Sequence, residues 1–185
     1  MPSVLVPLAD GCEEIEAVTI IDILRRGGVE VTVASLDGGT VTASRGVKIE
    51  PDTGLDAALQ SEYDMIALPG GAAGADRLEA DPRIAALLRR MADSGRFTTA
   101  ICAAPKVLAA AGLLDGLEAT SYPGYLDRKP APGMRYSEAA VVQAGKVVTS
   151  RGPGTAMDFA LTLLDLLAGP DRRGEVEAAL QRPNR

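Results

Sequence analysis

Histidine is absent from this 185-residue chain. That gap removes every Ser-His-Asp or Cys-His nucleophilic pair and every histidine-based zinc site. Proton transfer therefore falls to carboxylates, tyrosine, lysine, cysteine or water. Tryptophan is also missing and aromatic residues make up only 3%, which leaves few stacking platforms for single-stranded nucleic acid. The cationic residues are scattered and the formal net charge is −6. No basic footprint for a phosphate backbone results, and no nucleic-acid partner is expected. No apolar run approaches the ~20 residues needed to cross a bilayer. The strand-like run at 3–9 is short, has no basic leader and meets acidic residues at once. Neither a membrane segment nor a signal peptide is expected, and the expected location is the cytoplasm. Cysteine is scarce, with only Cys12 and Cys102, so reduced thiols are expected rather than disulfide staples.

What is present is ordinary for a globular protein: 46% apolar and 24% charged residues, read as one domain over 1–185. Residues 3–9 form an apolar run that predicts a buried parallel strand. A turn at Asp10-Gly11-Cys12 leads to a helix whose Glu13 and Glu14 suit its positive end. Its expected apolar stripe is Ile15, Val18, Ile21 and Leu24, and it stops at Arg25-Arg26-Gly27-Gly28. The alternating run 29–34 predicts the next strand. Strand, helix and strand in this order are the unit of a doubly wound sheet.

Two short extended pieces, 40–43 and 47–49, predict a small antiparallel excursion. A short helix over 55–60 and a buried strand over 65–68 follow, then Pro69-Gly70-Gly71. Paired glycines there let backbone approach a ligand, or simply turn the chain. A helix over 82–91 buries Ile84, Leu87 and Leu88, and leads to the apolar run 98–101. Beyond the next helix, 119–123 predicts a short strand and 127–134 a surface loop. Residues 141–143 and 146–150 predict a hairpin through Ala144-Gly145. A long helix after Thr155 carries Ala156, Ala160, Leu163, Leu164 and Leu167 on its apolar face. The charged tail beyond Gly169 predicts one small helix and a frayed end.

The chain's chemistry centres on Cys102, where the run 98–101 meets Ala103-Ala104-Pro105 and a helical stretch. A thiol on a strand-to-helix turn faces unpaired N–H groups and the positive end of a helix, both of which favour thiolate and lower its pKa. Pro105 is tolerated in a first helical turn. The plain alternative is a small buried hydrophobe. In open parallel sheets ligands gather outside the carboxyl ends of strands. The turns at 10–16, 68–71 and 102–105 all occupy such ends, and together hold a carboxylate, backbone donors and a nucleophile.

Four motifs in order, Glu13-Glu14-Ile15-Glu16-Ala17-Val18, Leu68-Pro69-Gly70-Gly71, Ala100-Ile101-Cys102-Ala103-Ala104-Pro105 and Thr149-Ser150-Arg151-Gly152-Pro153-Gly154-Thr155, closely resemble the ThiJ/PfpI superfamily and, within it, its deglycase branch. The match runs from about residue 3 to residue 169. The resemblance implies a flavodoxin-like α/β three-layer sandwich with a mostly parallel sheet and a nucleophile elbow. It further implies a homodimer and a cofactor-free, metal-free site. On that pattern Cys102 is the nucleophile and redox-sensitive thiol, and Glu16 its carboxylate partner. Gly71 and Ala103 supply N–H groups to an oxyanion beside Gly70, and the partner subunit's Pro153 borders the pocket.

Sharing a pocket with a thiolate should raise the pKa of Glu16, so that it holds a proton and shuttles it without histidine. Read without the resemblance, Glu16 is one more acid in a helix's first turns. Two departures bear on activity. Peptidase-like members carry histidine directly after the nucleophile where this chain has Ala103, which disfavours proteolysis. The deglycase branch has a pocket histidine where this chain has Tyr122, a hydrogen-bonding group but a poor base near neutral pH. Cys12 is expected to be a spectator thiol. The function implied is a glyoxalase or deglycase acting on a small reactive carbonyl or a glycated protein. Oxidation sensing or redox-regulated chaperoning by the same thiol is the alternative, and amidohydrolase chemistry is weaker.

Overall fold

The apolar runs of the sequence become strands of one seven-stranded sheet. The computed structural model describes residues 1–182. Its first half comprises β1 (Ser3–Leu8), α1 (Glu14–Arg26), β2 (Glu30–Ser35), β3 (Val41–Thr42), β4 (Lys48–Ile49), β5 (Thr53–Gly54), α2 (Leu55–Ala58), β6 (Met65–Leu68), α3 (Ala72–Ala80) and α4 (Pro82–Asp93). The second half comprises β7 (Phe97–Ile101), α5 (Pro105–Ala110), β8 (Glu118–Ala119), β9 (Arg135–Tyr136), β10 (Val141–Ala144) and β11 (Val147–Ser150). A 3-10 turn (Pro153–Thr155), α6 (Ala156–Ala168) and α7 (Pro170–Ala179) complete it.

The sheet order is β10-β11-β7-β6-β1-β2-β5, with every neighbouring pair parallel except β10 with β11. Side chains alternate across a strand, so β1 feeds two cores. Val4, Val6 and Leu8 pack with Ile20 and Ile23 of α1 and Phe159, Leu163 and Leu164 of α6. Leu5 turns to the opposite face with Ile84, Leu87 and Leu88 of α4. Helices thus cover both faces, and the central strands β2-β1-β6-β7-β11 have flavodoxin-like order. The winding reverses at the β1/β6 boundary, which opens a crevice at the carboxyl ends of β1, β6 and β7.

The β3/β4 excursion and the β10/β11 hairpin form as expected. The stripe assigned to α1 does not. Leu24 is buried, but Ile15 is 56% and Val18 49% exposed, while Glu14 and Glu16 turn inward with Ala17, Ile20 and Ile23. On the inward face Glu16 meets the Gly70 N–H, and Glu14 meets the Ser44 hydroxyl and the Arg45 N–H. Helix α3 is absent from the sequence reading because its run AAGADRLEA buries only Gly74, Ala75 and Leu78. The strand expected over 119–123 stops at Ala119, where β8 pairs in parallel with β9. The frayed end expected for the tail falls on 183–185, outside the described residues.

Candidate active site

At the end of β7, Cys102 adopts φ +65°, a left-handed conformation that costs a side-chain-bearing residue ~1 kcal/mol or more. Strand β11 and the segment after β8 hold it there. Its N–H donates to the Ser150 carbonyl at 2.9 Å, and its carbonyl accepts the Tyr122 N–H at 2.8 Å. Cys102 is only 8% exposed and opens into a cleft of about 890 Å³ whose walls include Gly71, Ala103, Tyr122 and Pro153.

Three neighbouring acids at the start of α1 divide the work of placing that thiol's partner. Glu13 caps the helix, accepting the Glu16 N–H on Oε2 at 2.9 Å. Glu14 pins the β3/β4 excursion, taking the Ser44 hydroxyl at 2.8 Å and the Arg45 N–H at 2.7 Å. Glu16 is fully buried. Its Oε2 accepts the Gly70 N–H at 2.7 Å. Its Oε1 is buried with no hydrogen-bond partner, and the Cys102 thiol is close enough to interact with the carboxyl.

Burial pushes the Glu16 carboxyl up to about 7, with the Gly70 N–H and the Cys102 thiol pulling it partly back. Burial pushes the Cys102 thiol up to about 12, the Glu16 charge adding to it and the Gly71 and Ala103 N–H groups opposing. This overturns the expectation that the helix end lowers the cysteine's pKa. Helix α5 has six residues and starts three positions beyond Cys102, so its dipole is small beside the cost of burying a charge. Between about 7 and about 12 the pair holds one proton. It is shared between thiol with carboxylate and thiolate with carboxylic acid.

The structure brings Cys102, Glu16, Gly70, Gly71, Ala103, Tyr122 and Pro153 together, with two adjustments. The Gly70 N–H is committed to Glu16, so among the backbone donors Gly71 and Ala103 face the sulfur. Pro153 reaches the cleft within the same chain, where a partner subunit was expected to supply it. The reason is register: Ser150 pairs with Ile101, so the turn after β11 sits beside the elbow. Cys12 is 1% exposed and its thiol is pushed up to about 12 by burial, then by Glu14, Glu13 and Asp10. Unlike Cys102 it does not line the cleft, which suits a spectator. Sequence reading missed Arg45 and Tyr125 on the cleft wall. The excursion that carries Arg45 folds back on Glu14, a contact between distant segments. Tyr125 lies in a turn and shows no periodicity.

The sequence profile of the DJ-1/PfpI family matches residues 2–166 of the chain. The chain belongs to the DJ-1/PfpI family. The crystal structure of DJ-1beta from Drosophila melanogaster matches at a TM-score of 0.95 and 40% identity, covering 99% of each chain. An oxidized DJ-1 from Toxoplasma gondii matches at 0.94 and 42%, covering all of both chains. A glutathione-independent glyoxalase of Caenorhabditis elegans, DJR-1.2, is 37% identical over 169 residues, 91% of this chain and 89% of that relative. The DJ-1/PfpI assignment and the fold agree. None of the described helices is long and apolar enough to cross a membrane.

Proposed function

We propose that the protein is a cysteine-dependent, cofactor-free enzyme acting on reactive carbonyls, of the glyoxalase or deglycase type. The observation that carries the reading is the Cys102 thiol on a positive-φ elbow, against the buried carboxyl of Glu16 and two backbone N–H groups, at the head of an open cleft. The nematode relative's name supports the substrate class. In this mechanism the Cys102 sulfur adds to the aldehyde carbon of methylglyoxal, and the carbonyl oxygen takes a proton to give a hemithioacetal. Glu16 removes the proton on that carbon and returns it to the adjacent one through an enediol. A thioester of lactate results. Water cleaves it, releasing lactate and the free thiol, so methylglyoxal plus water becomes lactate with no external oxidant. Gly71 and Ala103 would stabilise the oxyanions, and a glycated protein would enter by the same hemithioacetal or its nitrogen analogue.

Purified protein given methylglyoxal, with no glutathione, should form lactate one-for-one with methylglyoxal consumed. Absence of lactate above the buffer rate overturns the reading.

A second reading, an oxidation sensor or redox-regulated chaperone, draws on the same backbone donors and on the oxidized Toxoplasma relative. Mild peroxide should then add two oxygens to Cys102, as a sulfinate facing Gly71 and Ala103. Intact mass and peptide mapping read this, and an unmodified Cys102 removes it. The proposal takes 1–185 as one cytoplasmic domain and includes a homodimer. Ile15 and Val18 on α1 and Val47 in the excursion are exposed, an apolar group of the kind a second copy covers. Sedimentation at micromolar concentration should give twice the 19.1 kDa chain mass, and Val18→Glu should return the monomer.

A further inference from the structure

A second cavity, of about 400 Å³, adjoins the active cleft and shares Gly124 and Tyr125 with it. Its other walls are the last turn of α5, with Ala109 and Ala110, and the Pro130-Ala131-Pro132 segment. These surfaces are apolar. Three charged residues join these walls: the Lys106 ammonium is taken up by Asp76 and, at 3.3 Å, by Glu79, and Lys129 is solvent-exposed. With Lys129 hydrated at the surface, the apolar walls are the area an uncharged arm would gain by covering.

The cavity also lies within reach of the thiol. Gly124 and Tyr125 line both spaces, and Cys102 lines the cleft that they share with it. Tyr125 stands between the two spaces, and burial, followed by the Cys102 charge, raises its phenol while Lys106 opposes. The phenol oxygen is thus neutral and within electrostatic range of both the thiol and the second cavity's ammonium.

We propose that this second cavity is a substrate subsite for an uncharged apolar arm, aryl or short alkyl, on the carbonyl compound held at Cys102, with Tyr125 as the wall against which the arm packs. The proposal rests on the reading of Cys102 as the nucleophile and extends it from two- and three-carbon aldehydes to arylglyoxal-type substrates. An aromatic arm gains from both burial and the ring of Tyr125.

The test compares two alkylating probes on the full chain, phenacyl bromide and iodoacetamide. In each case the Cys102 sulfur displaces halide, forming one S–CH2 bond and releasing bromide or iodide, followed by intact mass with peptide mapping. Ala110 is exposed, so Ala110→Phe can fill the cavity without disturbing the core. It should slow phenacyl bromide at least tenfold while leaving iodoacetamide within about twofold. Tyr125→Ala should independently reduce the preference for the aromatic probe severalfold. With phenylglyoxal and methylglyoxal as substrates, Ala110→Phe should lower kcat/KM for the former only. If both probes slow together, or neither slows, the subsite is overturned while Cys102 keeps its role. If Cys102 reacts with neither probe in the unaltered protein, the nucleophile reading falls and the subsite with it.

Discussion

Glu16→Gln should lower methylglyoxal turnover by about a hundredfold or more, and the same substitution should make the protein more stable at pH 8. Both effects follow from one buried proton. Glutamine keeps the acceptor for the Gly70 N–H but neither takes nor returns a proton, so the step between adjacent carbons loses its shuttle. It also leaves the thiol to ionise alone. In the unaltered protein, alkylation of Cys102 by iodoacetamide should rise with an inflection near 7, where the pair loses its first proton. In Glu16→Gln the inflection near 7 should vanish and the thiol should ionise in one step at higher pH, held there by burial but below about 12 because the Glu16 charge no longer adds to it.

The stability effect has the opposite sense. The folded-state pKa of Glu16, about 7, lies above its ordinary value of 4.5. From about pH 4.5 upward the unfolded chain gives up this proton while the folded chain retains it. Stability contributed by this group is therefore full below that range and falls as pH rises through 7. The gap corresponds to about 3 kcal/mol. Urea unfolding of Glu16→Gln and the unaltered protein should nearly coincide at pH 4 and diverge in favour of the variant by pH 8. A stability difference constant across that range, or an unmoved alkylation inflection, would defeat the account.

That inward acid is also where the sequence misled. The runs at 3–8 and 65–68 announce their strands because both faces of a central parallel strand are buried, so nothing breaks their apolarity. In α1 the usual inference fails: the large residues Ile15 and Val18 face out and two glutamates face in. Hydrophobic spacing reports the average demand of a core. A helix that delivers one carboxyl to a thiol and another to a neighbouring loop follows hydrogen-bond demand instead. Helix α3 escaped for a related reason, since Gly74 rather than a large side chain lets it lie close. A Cβ there would stand 2.7 Å from the Cys12 Cα. The elbow itself was legible from strand, cysteine and proline in succession. The thiol's protonation was not, because it depends on burial that no local motif records.

Gly71→Ala should abolish turnover and cost about 3 kcal/mol or more of stability, the larger structural effect predicted for any single methyl in this site. Gly71 has φ +84° and ψ 127°, caps α3 and faces the thiol with its N–H. An added Cβ would lie 2.2 Å from the Gly11 carbonyl oxygen, 2.7 Å from the Glu13 nitrogen and 2.8 Å from the Cys12 carbonyl carbon. All three are backbone atoms of the turn leading into α1, so no side-chain rotation relieves the contact. The turns after β1 and β6 must separate, and with them the Gly70 and Glu13 backbone bond at 2.9 Å that seats Glu16. Backbone conformation alone does not account for such a loss. Gly112 has a similar φ of +81° and nothing within 4 Å of its Cβ position, so Gly112→Ala should cost only about 1–2 kcal/mol and leave activity intact. Urea midpoints and lactate rates for the two variants decide the matter. Comparable losses in both would assign the effect to glycine's conformational freedom, whereas a loss confined to Gly71→Ala assigns it to the packing of two turns that hold the carboxyl against the thiol.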